Sequence, residues 1–271
     1  MSKVKALVVT GYGINCEDEM AAAYRLAGAD ADIVHLHEVF SERVNIHDYE
    51  ILNFPGGFAF GDDLGSAKVL ANKFKFKKMK SGSHFIDEVQ KFLDSKKYIV
   101  GVCNGFQALV KMGLLPNTNG SFEQEVTLTH NDSGRFEDRW ITAKVNADSQ
   151  SPYLKDLGLI DMPVRHGEGK LLFKDEKVRK TIIENHLNCL TYADDEGRET
   201  GEYPFNPNGS ELNCAGLTDK TRQVFGLMPH PEAFLSLYNH PDWGRMKRQN
   251  PEISEEGQAL QIFKNIVRYI R

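Results

Sequence analysis

The stretch Tyr98-Ile99-Val100-Gly101-Val102-Cys103-Asn104-Gly105-Phe106-Gln107 decides how this chain is read. A short β-branched run ends in a tight Gly-Val-Cys-Asn-Gly turn, and Phe106, Leu109, Val110 and Met112 then recur at helical spacing. Strand, sharp turn and helix, with a nucleophile type at the apex and glycines two positions to either side, is the pattern of a nucleophile elbow. The glycines have a steric reason, because the backbone must pass close to a strained apex. A thiol at that apex sits at a helix N-terminus, where free amides and the helix dipole favour a thiolate. These ten residues alone fit a buried structural cysteine equally well.

Two further stretches change the balance. Val224-Phe225-Gly226-Leu227-Met228-Pro229-His230-Pro231-Glu232 is an apolar run ending in a histidine and a carboxylate. Pro229 and Pro231 keep this dipeptide out of a helix. In an extended segment, alternate residues share a side, so His230 and Glu232 suit a base and the group that orients it. Alone, His-Pro-Glu reads as a solvated loop; beside a cysteine elbow it reads as the rest of a triad. Tyr49 to Asp63 holds a strand followed by Pro55-Gly56-Gly57-Phe58-Ala59-Phe60-Gly61. Bare amides such as those of Gly56 and Gly57 are oxyanion-hole material, although a Pro-Gly turn is common in any loop.

Taken together, Pro55-Gly56-Gly57, Gly101 to Gln107 and Pro229 to Glu232 resemble the motifs of the class I (triad) glutamine amidotransferases. Gly13-Ile14-Asn15-Cys16-Glu17, Phe58-Ala59-Phe60-Gly61-Asp62, Asn131 to Glu137 and His166-Gly167-Glu168-Gly169 narrow the likeness. They resemble the glutaminase subunits of phosphoribosylformylglycinamidine synthase and the equivalent domain of large single-chain synthases. The resemblance implies an α/β fold of flavodoxin-like type: an open, doubly wound, mostly parallel sheet with a small antiparallel excursion, in one amidotransferase domain over residues 1–271. It implies that Cys103 attacks L-glutamine, His230 moves protons and Glu232 orients His230. The N–H groups of Gly57 and Asn104 would hold the oxyanion. Gly56, His166 and Gly167 would contact the bound glutamine, as would Gln107, one helical turn after Cys103 on the same face. Glu168 is a further candidate acid. Ammonia would go to the synthetase subunit, with a small bridging subunit as an optional third partner. The synthetase subunit would make formylglycinamidine ribonucleotide from formylglycinamide ribonucleotide in purine biosynthesis. No Gly-x-x-x-x-Gly-Lys-Ser/Thr loop is present, so ATP and Mg are expected on the synthetase, with no cofactor or metal on this chain. Two rival readings stand beside this one: a stand-alone cysteine hydrolase of similar fold, and a catalytically silent binding module. Ala233, where many members have Arg, and the segment Phe234–Glu255 depart from the shorter members of the family.

Composition agrees with a globular enzyme. Of 271 residues, 41% are hydrophobic and 26% charged, and the formal net charge of −5 gives no basic footprint for nucleic acid. No apolar run approaches the roughly 20 residues of a membrane span, and no signal-peptide pattern opens the chain. Cys16, Cys103, Cys189 and Cys214 are too scattered for a metal pair or a disulfide scaffold, which suits a reducing cytoplasm.

In chain order, Val4–Thr10, 32–36 and Ile51–Phe54 read as strands, and Glu17–Ala27 as a helix stopped by Gly28. Ligands in such sheets bind at the strands' carboxyl ends, where Gly11–Cys16, Pro55–Asp63, Cys103 and His230 all fall. Cys16 lacks an elbow and reads as a small residue shaping the pocket rim. Helices are expected over 64–76, 85–93 and from Leu260 to Ile270. The lysines at 73, 75, 77, 78 and 80 read as a solvated run, with a phosphate or partner site as the alternative. Val126–Thr129 and Trp140–Val145 alternate as antiparallel strands around Asn131–Asp138. There Asn131, Arg135, Glu137 and Arg139 form either a local polar net or an interface. Glu196–Ser210 reads as a turn-rich loop near the active-site face, and Phe234–Glu255 shows no strong period.

Overall fold

The computed structural model describes residues 3–271. The first part alternates between strand and helix: β1 (Lys5–Thr10), α1 (Glu17–Leu26), β2 (Asp30–His35), α2 (Leu36–Phe40), β3 (Ile51–Phe54), α3 (Lys68–Phe76), α4 (Phe85–Asp94), β4 (Tyr98–Val102) and α5 (Asn104–Met112). The rest is richer in strands: β5 (Val126–His130), β6 (Glu137–Val145), β7 (Leu159–His166), β8 (Glu168–Phe173), α6 (Glu176–Glu184), β9 (Asn188–Ala193), β10 (Cys214–Thr218) and β11 (Val224–Leu227), closed by α7 (Trp243–Gln249) and α8 (Leu260–Ile270).

The main sheet has the order β2-β1-β3-β4-β11-β10-β9-β6-β7. From β2 to β11 neighbouring strands are parallel, so the loops after β1, β3, β4 and β11 all leave the same edge. Every residue of β3 and of β11 is buried, which is why these segments read as continuous apolar runs. Helices cover them in two groups. In one, Tyr24 of α1 meets Phe263 of α8 edge-on at 5.2 Å; in the other, Phe74 of α3 meets Phe54 of β3 edge-on at 5.1 Å and the tilted ring of Phe85 of α4 at 4.6 Å.

The antiparallel excursion continues this sheet through β10, β9, β6 and β7, and β5 pairs separately with β8. Five strand spacings separate β4 from β7, roughly 24 Å if the sheet were flat. Yet the carbonyl of Arg165 in β7 lies 3.6 Å from the Cys103 sulfur. The extension therefore bends back over the carboxyl edge of the parallel strands and brings His166 and Gly167 to the elbow.

The helix expected from Leu64 begins at Lys68. Ala67 takes a left-handed conformation, and its N–H is held by the Asp62 carboxylate at 3.0 Å, so the preceding turn stays as loop. Within Phe234–Glu255 lies α7, seven residues with none buried, so no apolar period marks it. The lysine run is largely spent on its own chain: Lys73 lies over the rings of Phe60 and Tyr12, Lys77 over Phe40, and Lys75 donates to the Phe122 carbonyl. No helix among the described residues is long and apolar enough to cross a membrane.

Candidate active site

Cys103 stands between β4 and α5 with φ 50° and ψ −106°, a conformation few non-glycine residues hold. The turn closes only because its neighbours are small. A Cβ on Gly105 would come within 1.8 Å of the Phe54 carbonyl oxygen, and one on Gly101 within 2.8 Å of the Gly105 backbone. The thiol is buried at the N-terminus of α5 and donates to the Arg165 carbonyl at 3.6 Å.

His230 lies three residues beyond the end of β11 and caps the short 3-10 turn that Pro231 opens, and the His230 N–H donates to the Pro163 carbonyl at 2.8 Å. Its Nδ1 donates to Glu232 Oε1 at 2.6 Å, both residues being almost fully buried. Burial by itself disfavours the imidazolium, but the Glu232 carboxylate and the Cys103 and Cys16 sulfurs outweigh it and hold the His230 pKa well above its ordinary value. Nε2 is buried and closes no hydrogen bond of regular geometry. Catalytic contacts often tighten only when substrate binds.

The third wall is the loop after β3. Asn15 and Cys16 donate their N–H groups to the Gly56 carbonyl at 3.2 and 3.3 Å, and Phe58 donates to Gly13 at 2.8 Å. Gly57 sits between these bonds with φ +146° and gives its own N–H to no described residue. Asn104 spends its side chain holding the same loop, accepting from Ala59 N–H at 3.0 Å and donating to Asp62. A cavity of about 150 Å³ remains, lined by Asn15, Cys16, Gly57, Cys103, Phe136 and His230, with Phe58 and Arg165 at its edge. A volume of that order takes a small organic group.

The remaining sequence candidates fall behind this cavity. Gln107 is buried and donates to the Glu168 carbonyl at 2.5 Å while accepting from Asn104 at 3.0 Å, so its amide ties α5 to the β7–β8 turn. The Glu168 carboxylate accepts from Ser66 N–H, away from His230. His166 is buried, with Nδ1 3.1 Å from Asn131 Oδ1; burial and the nearby His230 push its pKa down to about 3. Gly167 is half-buried, its carbonyl accepting from Asn131 N–H. Asn131 is the organiser that sequence reasoning undervalued. Its side chain also donates to the carbonyls of Arg135 and His166 and accepts from Gly169 N–H, and Ser210 of the turn-rich loop braces Gly169 from the other side. Arg139 pairs with Glu137 and donates to Tyr203, so that part of the net is local.

Cys16, read from sequence as a rim residue, is more than that. Its sulfur, a ring nitrogen of His230 and a carboxylate oxygen of Glu232 all lie within 4.8 Å of one another.

Comparison with known proteins converges with this geometry. The family model described as the CobB/CobQ-like glutamine amidotransferase domain matches residues 3–270. The phosphoribosylformylglycinamidine synthase subunit PurQ of Methanococcus maripaludis is 42% identical over 273 residues, covering 98% of this chain and 97% of its own. The chain belongs to the PurQ family of glutamine amidotransferases. The PurQ subunit of Dehalococcoides mccartyi is 40% identical over 272 residues, covering 100% of this chain and 99% of its own. Among solved structures, a chain of PurLQS from Thermotoga maritima matches with a TM-score of 0.71 and 27% identity, covering 100% of both chains.

Proposed function

We propose that this PurQ-family amidotransferase hydrolyses L-glutamine at Cys103 and delivers the ammonia to a synthetase subunit. That subunit converts formylglycinamide ribonucleotide to the amidine, and it carries the ATP and Mg. The observation that carries the reading is the strained Cys103 apex sharing one small cavity with a buried, carboxylate-paired His230.

The steps follow from the groups present. The Cys103 thiolate adds to the carboxamide carbon, and the N–H groups of Gly57 and Asn104 receive the developing oxyanion. Such donors each contribute about 2.7–4 kcal/mol in comparable sites. The tetrahedral intermediate expels ammonia as the His230 imidazolium gives up its proton, leaving a γ-glutamyl thioester on Cys103. Water, deprotonated by the now neutral His230, then attacks the thioester, and glutamate leaves as the thiol is regenerated. Glu232 holds the ring in one tautomer throughout and offsets the charge of the imidazolium. Gly56, His166 and Gly167 shape the space for the glutamine backbone, and Gln107 supports it from behind. A free thiolate suits the cytoplasm, and all four cysteines are unpaired.

The mouth of the cavity is the docking face for the synthetase. Exposed Phe58 and Phe136 lie 6.2 Å apart there, with exposed Arg135 beside them. A small bridging subunit would join at its periphery. The test uses the reconstituted complex. With Cys103→Ala, product should form from ammonium salts at high pH and not from glutamine. A complex dead with both nitrogen sources would contradict the reading, as would full glutaminase activity in the isolated chain that no synthetase changes.

A further inference from the structure

We infer that Cys16 is a positioning residue for His230, its sulfur placed to accept from the Nε2–H of the imidazolium, a nitrogen that closes no hydrogen bond in this structure, and so to keep the ring in register with Cys103. The inference rests on the catalytic reading of Cys103 and His230. Four observations carry it. The Cys16 sulfur lies within 4.8 Å of a ring nitrogen of His230 and lines the cavity that holds Cys103. The sulfur is not spent on its own helix: Cys16 is the N-cap of α1 and makes no side-chain cap bond. Its S–H donates to Asn15 Oδ1 at 3.3 Å, which leaves the sulfur lone pairs free to accept. Finally, the loop is fixed to the oxyanion segment through the two bonds from Asn15 and Cys16 to the Gly56 carbonyl.

Gly56 makes the approach possible, because a Cβ there would lie 3.2 Å from the Cys16 sulfur and 2.7 Å from His230 Cε1. Burial pushes the Cys16 thiol pKa up, against the favourable effect of His230, so it stays a neutral partner. The titratable groups acting on the ring are Glu232, Cys103, Cys16 and the neutral His166. Of these, Cys16 takes no part in the chemistry and yet places its sulfur within 4.8 Å of a ring nitrogen.

The experiment measures iodoacetamide labelling of Cys103, located by peptide mapping, against pH in the full-length chain. Wild type is compared with Cys16→Ala, Cys16→Val and Cys16→Ser. Without a sulfur acceptor the imidazolium–thiolate pair is less favoured. Ala and Val should therefore move the Cys103 midpoint upward by about half a unit, roughly threefold slower labelling below it, with Ser returning it towards wild type. In the complex, kcat for glutamine should fall while KM stays within about twofold, the pattern of a lost transition-state interaction. If Ala fails to fold, Val and Ser make the same comparison. An unmoved midpoint overturns the inference. So does a wild-type midpoint in Val, which would leave only a volume effect, or a shift in Ser as large as in Ala. A wild-type Cys103 with no pH-dependent reactivity would instead sink the catalytic reading itself.

Discussion

Gly56→Ala separates catalysis from stability in this enzyme. The backbone at residue 56 is not in the left-handed region, so alanine adds no backbone strain, and the cost to folding stability is that of one overpacked methyl, about 1–3 kcal/mol. The new methyl, however, would lie 2.7 Å from His230 Cε1 and 3.4 Å from Nδ1. To reach ordinary contact near 3.4 Å the ring must withdraw by about 0.7 Å. The methyl cannot retreat instead, because the Gly56 carbonyl is held by Asn15 and Cys16. Nor can the ring slide along its plane, since Nδ1 is bonded to Glu232 at 2.6 Å and the His230 N–H to Pro163. The movement is therefore a tilt away from Gly56, which takes the ring out of its place beside Cys103. A misplacement near 1 Å costs on the order of 10²-fold. Glutaminase kcat/KM in the complex should accordingly fall by roughly 30- to 300-fold, while the thermal midpoint moves by only a few degrees. Activity within threefold of wild type would show that the ring has room the structure does not give it, and the argument from close approach would fail.

Other outcomes follow from the same groups. His230→Ala should abolish glutaminase activity almost as fully as loss of Cys103. Glu232→Gln should retain several tens of times more than His230→Ala, by analogy with triads in which the orienting acid is the least costly member; steady-state rates check the order. His166 stays neutral in the folded chain down to about pH 3, while the unfolded chain takes up that proton from about 6.5, so acidification through this window favours unfolding. Between pH 7 and 5 this one group accounts for up to roughly 2 kcal/mol of lost stability. Urea midpoints at the two pH values should therefore converge in His166→Gln, and an unchanged difference would place the acid sensitivity elsewhere.

The sequence made the parallel half of the fold legible because its central strands are buried on both faces. In Val4–Thr10 the four residues Ala6–Val9 are all apolar and buried, and all of Ile51–Phe54 is buried, so neither run shows a solvent-facing alternation. The elbow was equally plain, since only glycine fits at 105 against the Phe54 carbonyl. What stayed hidden depended on contacts distant in sequence. The extent of the antiparallel extension, and its return to place Arg165 against Cys103, follow from sheet curvature that no local pattern encodes. Asn131 read as part of a local polar net or an interface, and its bracing role stayed hidden because its partners His166 and Gly169 lie more than thirty positions away. Cys16 lacked the strand–turn–helix signature of a nucleophile, and its nearness to His230 comes from a loop bonded across to Gly56. α7 was invisible for a simpler reason, having no buried face to give it a period.

The central claim is that glutamine nitrogen is released through a covalent intermediate on Cys103, with Cys16 only a bystander to the bond-making. Rapid acid quench of the complex turning over labelled glutamine, followed by peptide mapping, tests it directly. A γ-glutamyl group should be found on the Cys103 peptide, absent in Cys103→Ser and present in Cys16→Ser. Acylation at Cys16, or glutamate formed at full rate with no acylated peptide at any time, would contradict it.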